Sequence, residues 1–460
     1  MIPPGSPEAA GTLGVSSSSP GQVPTGLARR RGRKVERLGA WIADKMERFF
    51  VVWAILNTTG AMLTPQPGAS NFETAGKSLT DSVFSLIYLV IVMLIVLRLG
   101  RVMWAGMAHR LTLVLLAVAV LSFFWSGAPD ITARRAIAIL TTSAFGWYLV
   151  ARFSGREILQ LMALALGFSA VQSLVYGVLR PDIVMLPQEG IAWRGVYENK
   201  NTFARAMVLS TLVFLLLAID GTRLRKLYLG SAVLSALLVL RSTSATGVAV
   251  LLLMVGLLKF SKNLRLRMTV LVPVLIGTVF AVAGGLYWLH LHAVAVAAGV
   301  GKDATMTGRT DLWAVALEMI AQRPVLGYGY GAFWRPGGPE VSFWSAVGWK
   351  TPHSHNGFVD LTLDLGLLGL VVLLAALGTG FAAAIRRARA RWSSDHVAPL
   401  VLLAFVVCYN ITESSMLKHN TVFWLAYIVA TSLACGGGDV AWTRRRGGGR
   451  ARRVRMRPAG

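Results

Sequence analysis

Twelve apolar blocks punctuate this 460-residue chain, and most are roughly 15 to 25 residues long, the length that crosses a bilayer core. They fall near 49–63, 82–98, 111–126, 136–151, 157–179, 203–219, 227–240, 244–258, 268–290, 357–380, 397–411 and 420–435. None shows the two-residue alternation of a barrel strand, so the helical solution is the one that satisfies the backbone in lipid. With 55% hydrophobic and only 15% charged residues, a soluble domain of this size could not hide so much apolar surface. The expected fold is an all-α polytopic membrane protein with about 12 transmembrane helices.

The basic residues supply an independent reading of topology. If the N-terminus is cytoplasmic and twelve blocks span, 32 of the 46 Lys and Arg residues fall in inner segments and 13 in outer ones. Arg205 lies within a block. The outer segments are the longer ones, so the bias follows the positive-inside rule and places both termini in the cytoplasm. The net charge of +25 then serves topology and attraction to an anionic lipid bilayer, and no nucleic-acid partner is expected. No cleavable signal peptide is expected, because the first apolar run starts only near residue 49.

The segments follow from this. Residues 1–40 form a disordered basic tail, 41–290 carry helices one to nine, and 291–356 form one large exoplasmic loop between helices nine and ten. Residues 357–436 carry the last three helices, and 437–460 form a second basic tail. Within the large loop, Asp311, Glu318 and Gln322 share one helical face while Leu312, Ala316, Met319 and Ile320 share the other. Pro324 ends this amphipathic helix, and "GYGYGAF" reads as a tight turn. Cys408 and Cys435 fall in or beside late blocks, where packing is the expected role.

Polar chemistry collects at the outer ends of the blocks. Arg205 sits one turn inside an apolar block, where a cation is costly unless it is paired or faces a wet cavity. Asn356, Asp360 and Asp364 repeat at i, i+4 and i+8 on a helix that enters the membrane. Just before it, "TPHSHNG" places His353 and His355 two apart. A metal site is the weaker reading of that pair, since a two-residue spacing alone is weak evidence, His290 and His292 lie at the far end of the large loop and no cysteine is near. Ser354 or Asn356 can also cap the following helix.

"HNGFVDLTLDLGLLG" fits a pattern of His, then Asn, nine residues, Gly, two residues, Gly: His355, Asn356, Gly366 and Gly369. With "RGVYENKN" (194–201), "GRTDLW…RPVLGYGYGAF" (308–333) and "NITESSMLKHNTVFWL" (410–425), it resembles the O-antigen ligase/polymerase superfamily of bacterial envelope enzymes over about residues 80–435. Within that family the 308–333 stretch looks most like exopolysaccharide polymerases of the succinoglycan type.

The resemblance implies a GT-C-like membrane glycosyltransferase in the bacterial inner membrane. It implies an undecaprenyl-diphosphate-linked glycan as donor, a glycan or lipid A-core as acceptor, and no metal or other cofactor. Other polysaccharide-export components become candidate partners. The implied catalytic residues are His355, Arg194 and Arg309, with Lys200 and Asn201 matching a frequent pair after the first arginine. Arg205, His353, Asn356, Asp360 and Glu413 are the further substrate-binding candidates. Arginine offers a planar fork for phosphate oxygens and stays protonated, so Arg194 and Arg309 are expected to clamp the diphosphate, with Lys200 as a point charge. Imidazole titrates near neutral pH and suits the task of taking the acceptor hydroxyl proton. Asp360 is a further candidate for orienting His355. Trp193, Tyr197, Tyr328 and Trp334 are candidates to stack on sugar rings. The rival class is a transporter or flippase of lipid-linked saccharides, but transporters place polar groups near the midplane.

Overall fold

The computed structural model describes residues 25–61, 76–185, 192–265, 309–335, 337–348 and 350–437. Among them every regular element is helical, and the sole β pairing is an isolated bridge between Met185 and Trp193. Residues 1–50 form one compact unit and 51–460 another, and the site below lies wholly in the second. In order, the helices are α1 (Thr25–Thr58), α2 (Gly76–Val96), α3 (Leu99–Met107), α4 (Arg110–Leu121), α5 (Pro129–Arg152) and α6 (Gly155–Leu179). Next come α7 (Pro181–Val184), α8 (Lys200–Ile219), α9 (Arg225–Arg241) and α10 (Ala245–Phe260). The last five are α11 (Arg309–Gln322), α12 (Glu340–Val347), α13 (Gly357–Ala390), α14 (Ser394–Asn410) and α15 (Val422–Ala434).

Among the described residues, four helices are long and apolar enough to cross a membrane: Gly155–Leu179, Lys200–Ile219, Ala245–Asn263 and Gly357–Ala390. A fifth is possible if α2 and α3, bent by 95° at Leu97–Arg98, make one broken span. Helix α3 thus occupies most of the gap between the apolar blocks 82–98 and 111–126. The block at 268–290, the segment 291–308 and both tails lie outside the described residues.

Helix termini follow local chemistry. Ser154 starts α6 with a full capping box to Glu157. Asn199 caps α8 through Thr202, and Asn356 caps α13 through the amides of Phe358 and Val359. The core of the second unit runs through α8, α14 and α15, where Phe203, Leu212, Phe405 and Trp424 are fully buried. Around it, the apolar side chains exposed on α6 and α13, such as Phe168, Val178 and Val371, suit a lipid-facing surface.

One break organises the functional end. Helix α13 is interrupted at Gly366, with φ 63° and ψ −168°, a backbone region open essentially to glycine alone. The break frees carbonyls and amides that a segment forty residues earlier then takes up. Tyr328 N and Gly329 N donate to Leu363 O (2.9 Å) and Asp364 O (2.8 Å), while Leu367 N and Leu368 N donate to Pro324 O (2.8 Å) and Val325 O (3.2 Å). Thus the "GYGYG" turn is threaded into the broken helix. Its other side is held by the residue that follows α4 and by α5: Tyr330 N donates to Ser122 Oγ (2.9 Å), and Arg135 donates to the Gly331 carbonyl.

Candidate active site

The histidine segment is fixed by tryptophans from the two helices and the turn that precede it. Helix α11 is amphipathic as the sequence suggests, burying Leu312 and Ala316 against Tyr328, Phe333 and Phe343. Trp313 and Trp334 lie beside this cluster, and their indole N–H groups reach out of it. Trp313 Nε1 donates to Ser354 O (2.9 Å), Trp344 Nε1 to Thr351 O (2.8 Å), and Trp334 Nε1 to Asp360 Oδ1 (3.1 Å). Each bond pins the 351–360 stretch to a rigid aromatic body.

Asp360 is the hub of the arrangement. It is 4% exposed. Oδ1 accepts from Trp334 Nε1 and from Ser354 N (3.0 Å), while Oδ2 accepts from Ser414 Oγ and lies 3.7 Å from Lys418 Nζ. The carboxylate therefore joins three segments distant in sequence: the end of the "GYGYGAFW" turn, the histidine segment and the α14–α15 loop. Asp360→Asn keeps one oxygen but presents an amide to Ser414 and Lys418. It is expected to destabilise the protein by about 1–3 kcal/mol, checked by thermal unfolding in detergent.

On this support stand the two histidines. His355 has φ 54°, an uncommon conformation for a non-glycine residue, which turns its ring back onto His353 with centroids 4.3 Å apart. His355 N donates to His353 Nδ1 at 3.1 Å. That bond commits the Nδ1 lone pair and makes Nε2 the protonated nitrogen of a neutral His353. Burial, reinforced by Lys418 and His355 against the pull of Glu413, holds the His353 imidazole well below its usual range. Across the site His355 Nδ1 faces Glu413 Oε2 at 3.6 Å and has no hydrogen-bond partner. Burial alone would raise the Glu413 carboxyl, but His355, Arg205 and His353 together hold it down at about 2.

His353, His355 and Glu413 offer ligand atoms within 4.8 Å of one another, a spacing that a metal ion would use. The bond pattern disfavours that use. His353 Nδ1 is occupied, its Nε2 carries a proton, and the cations Arg205 and Lys418 act on the same cluster. The set is better matched to an anion or to sugar hydroxyls.

Arg205 reaches this cluster from α8. Its guanidinium stacks over Phe423 at 4.1 Å and interacts with Glu413, and its buried Nε and Nη1 atoms have no hydrogen-bond partner. The other expected residues are placed differently. Arg194 is buried in the segment after α7, where Nε donates to Ile183 O (3.0 Å) and Glu198 is its charge partner. Asn201 accepts from Ser244 Oγ (3.2 Å), and Lys200 is the first residue of α8. Asn356 acts through its side chain as the α13 cap. Arg309 opens α11, and its side chain lies outside the described residues, as do His290 and His292. Of the aromatics expected to stack on sugars, Trp193, Tyr197 and Tyr328 are buried in packing. Trp334 keeps part of its surface open.

Lys418 was not singled out by the sequence reading, and Ser414 only as part of the "ESS" stretch at Glu413–Ser415. Their signal was present, since both lie in "NITESSMLKHNTVFWL", but a short polar loop between two apolar helices gives no register that would tell which residues turn inward.

Comparison with known proteins follows the same residues. The family described as O-Antigen ligase is matched over residues 230–374, which include both histidines, Asn356, Asp360 and Gly366 and end before Glu413 and Lys418. The chain is also similar to Exopolysaccharide production protein ExoQ of Rhizobium meliloti (strain 1021), with 28% identity over 285 residues. That alignment covers 58% of this chain and 63% of the relative.

Proposed function

We propose, from the match to the O-Antigen ligase family over residues 230–374 and the similarity to ExoQ, that the chain is a membrane glycosyltransferase of the O-antigen ligase/polymerase superfamily. On this reading it transfers or polymerises a glycan from an undecaprenyl-diphosphate donor onto a sugar hydroxyl. The reaction runs without a metal, on the exoplasmic side of a twelve-span inner-membrane protein of cell-surface polysaccharide synthesis. The observation that carries it is Arg205, a buried cation with unpartnered N–H groups that acts on Glu413 and His353, in the cluster at the mouth of the apolar helix α13. A guanidinium in that state favours an arriving anion, because the desolvation of its charge has already been met by the fold.

The chemistry then assigns itself to the side chains. The acceptor oxygen attacks the anomeric carbon, its proton passing to His355 Nε2. The bond from that carbon to the phosphate oxygen breaks, and its electron pair leaves with the lipid diphosphate. Single displacement inverts the anomeric configuration. Arg205 and Lys418 oppose the charge that gathers on the departing diphosphate, and the neutral His353 donates from Nε2. Arg194 and Arg309 remain proposed cations of the donor path. The apolar faces of α6 and α13 give the polyprenyl tail a lipid-side route.

Incubation of the purified protein with a lipid-diphosphate glycan in detergent tests this: glycan transfer and free undecaprenyl diphosphate are expected together. Neither would form with a flippase or transporter, the reading this result would exclude. Arg205→Ala removes a charge-assisted contact of about 1.5–3 kcal/mol, so kcat/KM for the donor is expected to fall roughly 10- to 150-fold.

A further inference from the structure

The α14–α15 loop supplies a residue whose geometry goes beyond substrate contact. Glu413 is 9% exposed and lies 3.6 Å from His355 Nδ1, which is buried and has no other hydrogen-bond acceptor. The two groups approach from separate directions. His355 is fixed by its left-handed backbone and its amide bond to His353, while Glu413 N is held by Tyr409 O at 2.8 Å at the end of α14. Next to it, Ser414 is tied to Asp360, and Ser415 N and Met416 N donate to Asn410 Oδ1 (2.9 and 2.7 Å). The carboxylate thus sits on a braced turn.

We propose that Glu413 is a positioning residue that orients His355 as the proton acceptor of the transfer reaction. A carboxylate at Nδ1 takes the proton of that nitrogen as a hydrogen bond, which leaves the Nε2 lone pair facing the cleft. The separation of 3.6 Å is longer than a hydrogen bond, and contacts of this kind tighten when substrate closes a site. Glu413 is suited to the role because it is held ionised, and its charge stabilises the imidazolium formed when His355 takes the proton. Asp360 does not compete for His355, since its two oxygens are engaged by Trp334, Ser354, Ser414 and Lys418.

This rests on His355 being the base, and the test separates the two claims. In E413Q the donor and acceptor KM values are expected to stay within about twofold, while kcat falls about 10²-fold or more. E413D, which keeps the charge, is expected to recover part of that loss. Independently of transfer, diethyl pyrocarbonate acylates the free imidazole nitrogen, and mass spectrometry resolves His355 from His353. Its rate at His355, measured at about pH 8, is expected to fall several-fold in E413Q. An unchanged acylation rate, or a raised KM with kcat intact, overturns the positioning role. If E413Q does not stay folded in detergent, E413D decides alone: its carboxylate is one methylene further back, and equal kcat and acylation rates overturn the proposal. A wild-type chain with no transfer activity overturns the glycosyltransferase reading, while the acylation comparison still judges the Glu413–His355 pairing.

Discussion

His355→Ala is expected to lower glycan transfer by about 10²- to 10⁴-fold, the range that a positioned general base contributes. Donor affinity should change little, because Arg205 and Lys418 stay in place. The fold should survive, since the imidazole makes no hydrogen bond that a neighbour depends on: its Nδ1 is unpartnered, and the bond to His353 comes from the backbone amide, which alanine keeps. Release of undecaprenyl diphosphate is the measurement, with thermal unfolding as the control. His353→Ala should behave otherwise. It removes the acceptor of the His355 amide and with it the restraint on a left-handed residue, so it should lower both activity and unfolding temperature. Full transfer by His355→Ala would remove this residue from the mechanism.

The helical architecture was legible because apolar length is a local property. Eleven of the twelve apolar blocks overlap described helices, closely for 157–179 against Gly155–Leu179 but with α1 and α13 running well beyond blocks 49–63 and 357–380, and the remaining one, 268–290, lies outside the described residues. Arg205 was legible for a related reason: a cation inside an apolar run is conspicuous wherever its partner lies. His355 was read from the family resemblance carried by "HNGFVDLTLDLGLLG", and the fold adds Glu413 beside it. What stayed hidden was every contact between segments distant in sequence. Nothing near Trp313, Trp334 or Trp344 announces that their indoles hold residues 41, 26 and 7 positions away. The acidic face that includes Asp360 looked like a surface toward substrate. Its carboxylate is instead taken up by Trp334, Ser354, Ser414 and Lys418, because a buried charge must be satisfied and these groups surround it.

Gly366→Ala is expected to be more damaging to the fold than His355→Ala, although it adds a single methyl group. Two costs coincide there. The backbone conformation is one that an L side chain rarely adopts, a penalty of about 1–3 kcal/mol. A Cβ at this position would also lie 2.6 Å from the Leu326 amide nitrogen and closer still to the Val325 carbonyl, which are backbone atoms that cannot rotate aside. Relief requires the threaded segment to move, and that gives up the four backbone hydrogen bonds between 324–329 and α13. Gly327, whose own Cβ would meet Gly366 N at 2.6 Å, makes the same junction tight from the other side. Together these place the loss at about 3 kcal/mol or more, large beside the stability of most folded chains. Gly378→Ala is the matched control, since it lies on the same helix with nothing within 4 Å of an added Cβ. Thermal unfolding of the two variants in detergent decides the matter: a Gly366→Ala protein as stable as Gly378→Ala would mean that α13 can run unbroken. Activity should fall with the junction even in molecules that stay folded, because the segment that leaves Gly366 continues through Tyr328 and Phe333 to Trp334, and Trp334 holds the Asp360 carboxylate on which the histidine segment rests.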